Sequence, residues 1–179
     1  MISDGFAALP QWEDDDSLVV VIETPKGSRN KYAYDEETGI FELKKVLPAG
    51  MGFPYDFGFV PSTLAEDGDP IDVLVLMDEP AFPGCVLRCR LIGVIEGEAD
   101  EDDGPARNDR LIGIETHTHS FAAIRTLTDL GERFVKELEA FFVNYHLLSK
   151  HEYRVRGWRG PQVARELVEL AIVRNRKRR

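Results

Sequence analysis

The residues best suited to chemistry lie in one segment, Glu66-Asp67-Gly68-Asp69-Pro70-Ile71-Asp72-Val73-Leu74-Val75-Leu76, where three aspartates fall within six residues and give way to an apolar strand. Carboxylates so close repel one another, which raises their pKa values and costs stability unless cations or water take up the charge. Acids crowded at the mouth of a strand therefore invite a hard divalent metal, with Gly68 and Pro70 fixing the turn that lets the side chains converge. On charge alone, a solvated Asp-rich turn is the commoner meaning of such a string. A calcium loop of the EF-hand kind fails on register. Counted from Asp67, its fifth, sixth and twelfth places hold Ile71, Asp72 and Asp78, where an oxygen ligand, Gly and Glu are needed.

The rest of the chain bounds what such a cluster can bind. Lys and Arg number 22 against 32 Asp and Glu, a formal charge of -10, which excludes a protein that holds nucleic acid by charge. An acidic protein still binds a phosphate compound when divalent cations stand between its carboxylates and the phosphate oxygens. At 179 residues and 43% hydrophobic content the chain fits one domain, residues 1–179, with one core. Met1 to Ser17 is expected as a peripheral extension and Arg174 to Arg179 as a peripheral, solvated basic tail. Cys85 and Cys89 read as strand thiols, since four residues of strand separate them by roughly 13 Å, beyond the ~7 Å between Cα atoms that a disulfide tolerates. No basic segment followed by an apolar run opens the chain, and no run of about 18 apolar residues occurs. No membrane partner is expected, and the cytoplasm is the expected location.

The cluster must be positioned by strands. Leu18 to Ile22 is a β-branched apolar run, and Lys31 to Tyr34 and Ile40 to Leu43 flank the turn Asp35-Glu36-Glu37-Thr38-Gly39 as a hairpin. Leu47 to Pro61 reads as loop, and Ile71 to Met77, Cys85 to Ile95 and Arg110 to Ile114 as further strands. Short strands without alternating helices predict a mainly β, α+β fold: a small closed antiparallel barrel, OB-like, with two C-terminal helices packed on it. The first helix is predicted from Leu130, Phe134, Leu138, Phe141, Phe142 and Tyr145, with Asp129 and Glu132 in capping positions. The second starts at Pro161 and runs through Ala164, Leu167, Leu170 and Ala171.

Asp67, Asp69, Pro70, Ile71, Asp72 and Val73 also spell Asp-x-Asp-Pro-hydrophobic-Asp-hydrophobic, in which the chain resembles the family I soluble inorganic pyrophosphatases. Val21-Ile22-Glu23-Thr24-Pro25, Lys31-Tyr32, Phe53-Pro54-Tyr55-Asp56-Phe57-Gly58, Pro83 to Arg90 with Gly93-Val94, and Phe141-Phe142 with Tyr145 extend the likeness over roughly Val19 to Trp158. The resemblance implies Mg2+-dependent hydrolysis of pyrophosphate to two phosphates by metal-activated water. Asp67, Asp69 and Asp72 would bind or orient metal and nucleophilic water, with Asp69 as general base and Glu23 as an accessory acid of the metal shell. Lys31, Lys45, Arg110, Tyr145 and His146 would bind substrate. The acidic string Glu96 to Asp103 stands where the family keeps further metal ligands, and Asp100 is its candidate in an otherwise solvated loop. The resemblance also implies a homo-oligomer.

The departures fall on the substrate grip. Ala33 stands where the family has Glu, Lys45 where it has Arg, Phe53 and Phe57 where it has Tyr, and His146 where it has Lys. Asn108 replaces a ligand Asp and Arg110 a Lys, with Asp109 placed to supply the missing charge. Arg and Lys present donors to phosphate differently, and Tyr to Phe deletes a hydroxyl, so grip and rate are expected to shift. A non-catalytic barrel that binds a phosphorylated ligand or a partner protein is the alternative. His117 and His119 would share a strand face but have no third ligand nearby, and Trp12 and Trp158 read as packing aromatics.

Overall fold

The computed structural model describes residues 5–101, 104–148 and 151–178. Its first strand, β1 (Leu18–Thr24), is buried along its whole length, with Leu18, Val20 and Ile22 in the apolar cluster that also takes in the last helix. In β5 (Asp72–Leu76) alternate residues serve two apolar clusters: Val73 and Val75 join the one under the last helix, while Leu74 and Leu76 join the one under the helix before it. A strand covered on both faces reads as a continuous apolar run, which is why Val-Leu-Val-Leu follows directly on the acidic turn.

Five strands close a ring. β1 pairs with β4 (Asp56–Phe59) and β4 with β5, both antiparallel. β8 (Arg110–Glu115) continues from β5 and pairs antiparallel with β6 (Val86–Glu101), which returns to β1 through Val86 to Cys89. One pairing departs from the expected antiparallel pattern: β5 and β8 run parallel, which the long excursion through β6 between them permits. β6 is 16 residues long and serves four partners, the last two being β7 (Gly104–Arg107) and β9 (Tyr153–Arg159). The expected hairpin forms outside the ring from β2 (Asn30–Asp35) and β3 (Ile40–Val46).

Two expectations are corrected here. The Pro- and Gly-rich stretch around Tyr55 is not loop throughout, because β4 lies in it; a Cβ on Gly58 would stand 2.1 Å from the Val21 carbonyl oxygen. The acidic string is strand as far as Glu101, paired with β7 and β9, and Arg154 and Arg156 of β9 neutralise its Glu98 and Asp100. Asp102 and Asp103 lie outside the described residues.

The helices form where the apolar spacing places them. Asp129 accepts the Thr126 N–H at 2.8 Å in a capping box that opens the short α1 (Leu127–Leu130). Gly131, at φ 84°, turns the chain into α2 (Glu132–Leu147), which buries Val135, Leu138 and Phe142. α3 (Pro161–Arg178) buries Ala164, Val168, Ala171 and Ile172, and carries the C-terminal basic residues as helix rather than as a loose tail; Arg179 lies outside the described residues.

Candidate active site

The turn before β5 is fixed by its own backbone. The Ala65 N–H donates to the Asp69 carbonyl at 2.7 Å, the Asp69 N–H donates to Asp67 Oδ1 at 3.2 Å, and Gly68 takes φ 94° between them. From the other side, the buried Thr63 hydroxyl accepts the Ile71 N–H at 3.1 Å. Asp67, Asp69 and Asp72 consequently line one cavity of about 590 Å3, joined by Glu23 of β1, Lys31 of β2, and Arg110 at the start of β8. Phe53, Phe57, Phe142 and Tyr145 supply the apolar part of its wall, and His146 lies beside them.

Burial, and then the Asp72 charge, pushes the Asp67 carboxyl up to about 6. Asp69 is raised by the same two causes, against the pull of Lys31, Arg110 and Arg178. Burial pushes Glu23 up to about 7, opposed by Lys31 and by the Tyr34 N–H it accepts at 2.8 Å. Arg110 is fully enclosed yet held charged by its ion pair with Asp72, and its guanidinium lies within 6.0 Å of the Phe57, Phe142 and Tyr153 ring centres.

His146 is a neutral group here. Burial, followed by Arg110, lowers it to about 3, and its ring stacks on Tyr153 at 4.8 Å. Lys45 sits opposite Lys31 in the hairpin register with Nζ 3.6 Å from the centre of the Tyr145 ring, and burial and Lys31 lower it to about 8. It does not line the cavity; its neighbour Lys44 does. Tyr145 lines the wall, and burial raises its hydroxyl well above the usual phenol range.

Two candidates fall elsewhere. Asp100 lies on the outer end of β6, 2.5 Å from Arg154, which holds its carboxyl low; it is no part of the cavity wall. Asp109 points behind the site, 2.5 Å from Arg107, into a small pocket of about 60 Å3 that Asp67, Asp72 and Arg110 also line. Between them Asn108 is buried on the cavity wall. Its N–H donates to the Gly97 carbonyl, its carbonyl accepts the Tyr153 hydroxyl at 2.9 Å, and its Oδ1 has no partner among the described residues. His117 and His119 share no strand face: the first bonds Glu115 at 2.7 Å and the second gives its N–H to Asp78 at 2.6 Å. The two cysteines are free.

Sequence reading missed Tyr34, Lys44 and Arg178 on the cavity wall. The extra residue of the register shift lies on β3, where Lys44 stands between Lys45 and Leu43, the partners of Lys31 and Tyr32, and nothing local marks Tyr34 or Arg178.

Among the described residues no three acids, histidines or cysteines are gathered tightly enough to chelate an ion unaided. The donor chemistry nevertheless suits a hard divalent cation that keeps open coordination places. Glu23, Asp67, Asp69 and Asp72 offer oxygen alone, and two of them are raised into a range where a cation would relieve them.

A small closed barrel with acids and cations facing one another at a cavity defines a class that handles a compact polyanion through hard cations. The comparisons agree with that reading. The inorganic pyrophosphatase family model matches residues 20–176. The chain is 40% identical to the inorganic pyrophosphatase of Thermus thermophilus over 158 residues, 87% of this chain and 88% of the relative, and 38% identical to that of Synechocystis over 153 residues, 86% and 88%. A crystal structure of a Thermus thermophilus inorganic pyrophosphatase superposes with a TM-score of 0.88 at 35% identity, covering 96% of this chain and 99% of that one. This chain belongs to the inorganic pyrophosphatase family.

Proposed function

We propose that the protein hydrolyses pyrophosphate to two phosphates in the cavity between the Asp67 turn and the hairpin, with Mg2+ as its metal. The observation that carries this reading is the convergence of Glu23, Asp67, Asp69 and Asp72 with Lys31 and Arg110 on one cavity wall. Asp67, Asp69 and Asp72 would hold Mg2+, with Glu23 behind them. The bound metal supplies charge neutralisation on the phosphoryl oxygens and a lowered pKa for water.

The chain's own residues do the rest. Asp69, raised by burial and by Asp72, would act as the general base that takes the proton of the attacking water. Lys31 and Arg110 grip phosphate oxygens, Arg110 at a depth fixed by its pair with Asp72. The Tyr145 hydroxyl stays protonated and can donate to substrate, and neutral His146 adds a hydrogen-bonding group but no charge. Phe53, Phe57 and Phe142 exclude bulk water, which strengthens each charged contact.

A phosphate-release assay tests the reading. With Mg2+ the protein should liberate two phosphates per pyrophosphate, and a chelator should abolish the release. Asp69→Asn, with an unchanged circular dichroism spectrum, should lose about a thousandfold in kcat, as expected for a missing base beside a missing metal charge. Binding of pyrophosphate and Mg2+ without turnover by the intact protein would instead favour a phosphate-binding barrel.

A homo-oligomer belongs to the same proposal. Val143 and Leu147, one turn apart on α2, expose apolar surface beside Leu148, and light scattering would give the mass. A cytoplasmic location is consistent with two free thiols. Among the described residues no helix is long and apolar enough to cross a membrane.

A further inference from the structure

Arg178 lines the same cavity as the carboxylates, although it comes from the far end of the chain. α3 lies against the segment that leads into the Asp67 turn. The Leu64 N–H donates to the Ala171 carbonyl at 3.0 Å, Arg174 donates to the Leu64 carbonyl at 3.0 Å, and Asn175 donates to the Ser62 carbonyl at 2.9 Å. Arg174 also reaches Glu66 at 3.4 Å. Ala171, Arg174, Asn175 and Arg178 are three and four residues apart, so they share one side of the helix. The first three fasten that side to residues 62–66, and Arg178 is delivered one turn further on, over the carboxylates.

The contrast with Arg174 is informative. Arg174 is committed to a carbonyl and a carboxylate, whereas Arg178 forms no hydrogen bond or ion pair among the described residues and is exposed at the cavity rim. Its root is fixed by its helix and its head is available to a ligand. A guanidinium presents a planar fork that matches two oxygens of one phosphate, a geometry that the Lys31 ammonium lacks.

We propose that Arg178 is a further substrate-binding residue, gripping the outer phosphate of a diphosphate held in the cavity. The inference rests on the reading of this cavity as a diphosphate site. It assigns to the C-terminal helix a part in binding substrate as well as in covering the barrel. Because the contact is at the rim, it acts on substrate capture more than on the reacting bond.

The test compares the parent with Arg178→Gln, Arg178→Lys and Arg176→Gln in saturating Mg2+. Arg176 is exposed on the same helix and does not line the cavity, so its variant removes equal charge from a nearby place. Arg178→Gln should raise KM about tenfold with kcat within about twofold, the pattern of a lost charge-assisted contact made in ground and transition states alike. Arg178→Lys should recover part of the loss, and Arg176→Gln should leave KM at the parental value. An unchanged KM in Arg178→Gln overturns the proposal. So does an equal KM rise in Arg176→Gln, or a fall in kcat accompanied by a lower Tm. Calorimetric titration with methylene diphosphonate and Mg2+ separates this inference from the activity on which it rests. If the parent binds the diphosphonate without hydrolysing pyrophosphate, the hydrolytic reading fails while the ratio of Kd values still decides Arg178. If the parent does not bind it, both fall.

Discussion

Lys45 stands behind the cavity wall, where burial and the neighbouring Lys31 lower its pKa to about 8. Below about pH 8 its ammonium is charged and adds to the field that draws a polyanion in; above it the proton is lost and the attraction with it. The pH profile of kcat/KM reports groups of the free enzyme, so it should fall on the alkaline side through this value. Lys45→Arg keeps its charge throughout and should move that limb to higher pH. An alkaline limb that stays in place in the variant would assign it to another group. At this scale the carboxylates were the most legible part of the site, because Asp67, Asp69 and Asp72 lie in one local turn whose charge density advertises itself. Lys31 and Arg110 could be named only through the resemblance, and Asp100 was misplaced because its acidic neighbours suggested a loop. Its partner Arg154 lies more than fifty residues away, so nothing local could show that the string is zipped into a sheet.

The elements differ in how far local pattern could reach them. β1, the hairpin and α2 follow from apolar spacing, since each has a clear period or turn signal. β4 does not, because Pro54 and Gly58 flag a turn, yet the glycine is there for a tertiary reason. β4 crosses β1 so closely that Gly58 admits no side chain, and this crossing helps to close the ring. Gly58→Ala would force backbone against backbone, where neither atom can swing aside. It should destabilise the protein by about 3 kcal/mol or more, the range of severe packing and backbone faults. Urea denaturation measures this directly; a loss below about 1 kcal/mol would mean that the β1–β4 pair opens cheaply and that ring closure matters little to stability. β9 was invisible for a related reason: Tyr153 to Arg159 sets three arginines and Gly157 among Tyr153, Val155 and Trp158, and becomes a strand only by adding to the long outer arm of β6.

For the whole molecule, the -10 charge and the acids crowded at one cavity, Glu23, Asp67, Asp69 and Asp72 among them, make the metal-free fold work against itself. Glu23 is raised to about 7 and Asp67 to about 6, so the folded state binds protons more readily than the unfolded chain. Their stabilising contribution is complete below the ordinary carboxylate range and is lost as pH rises through about 6 to 7. His146 acts in the opposite sense. It is held neutral with its pKa lowered from 6.5 to about 3, so its contribution is present above 6.5 and lost as pH falls toward 3. Between about pH 5 and 6.5 these terms partly cancel, and above that window the carboxylates act alone. Comparing variants at one pH isolates the Glu23 part. Glu23→Gln keeps an oxygen for the Tyr34 N–H and removes the charge, so at about pH 8 without metal it should be more stable than the parent by on the order of 2 kcal/mol, with the gain fading toward pH 5. Mg2+ should raise the parental Tm more at pH 8 than at pH 5, since a cation relieves only acids that are ionised, and it should raise the Tm of Asp69→Asn less. Thermal scans at the two pH values, with and without Mg2+, give all four comparisons. Equal destabilisation of Glu23→Gln at both pH values would show that the hydrogen bond to Tyr34, not the buried charge, governs this position.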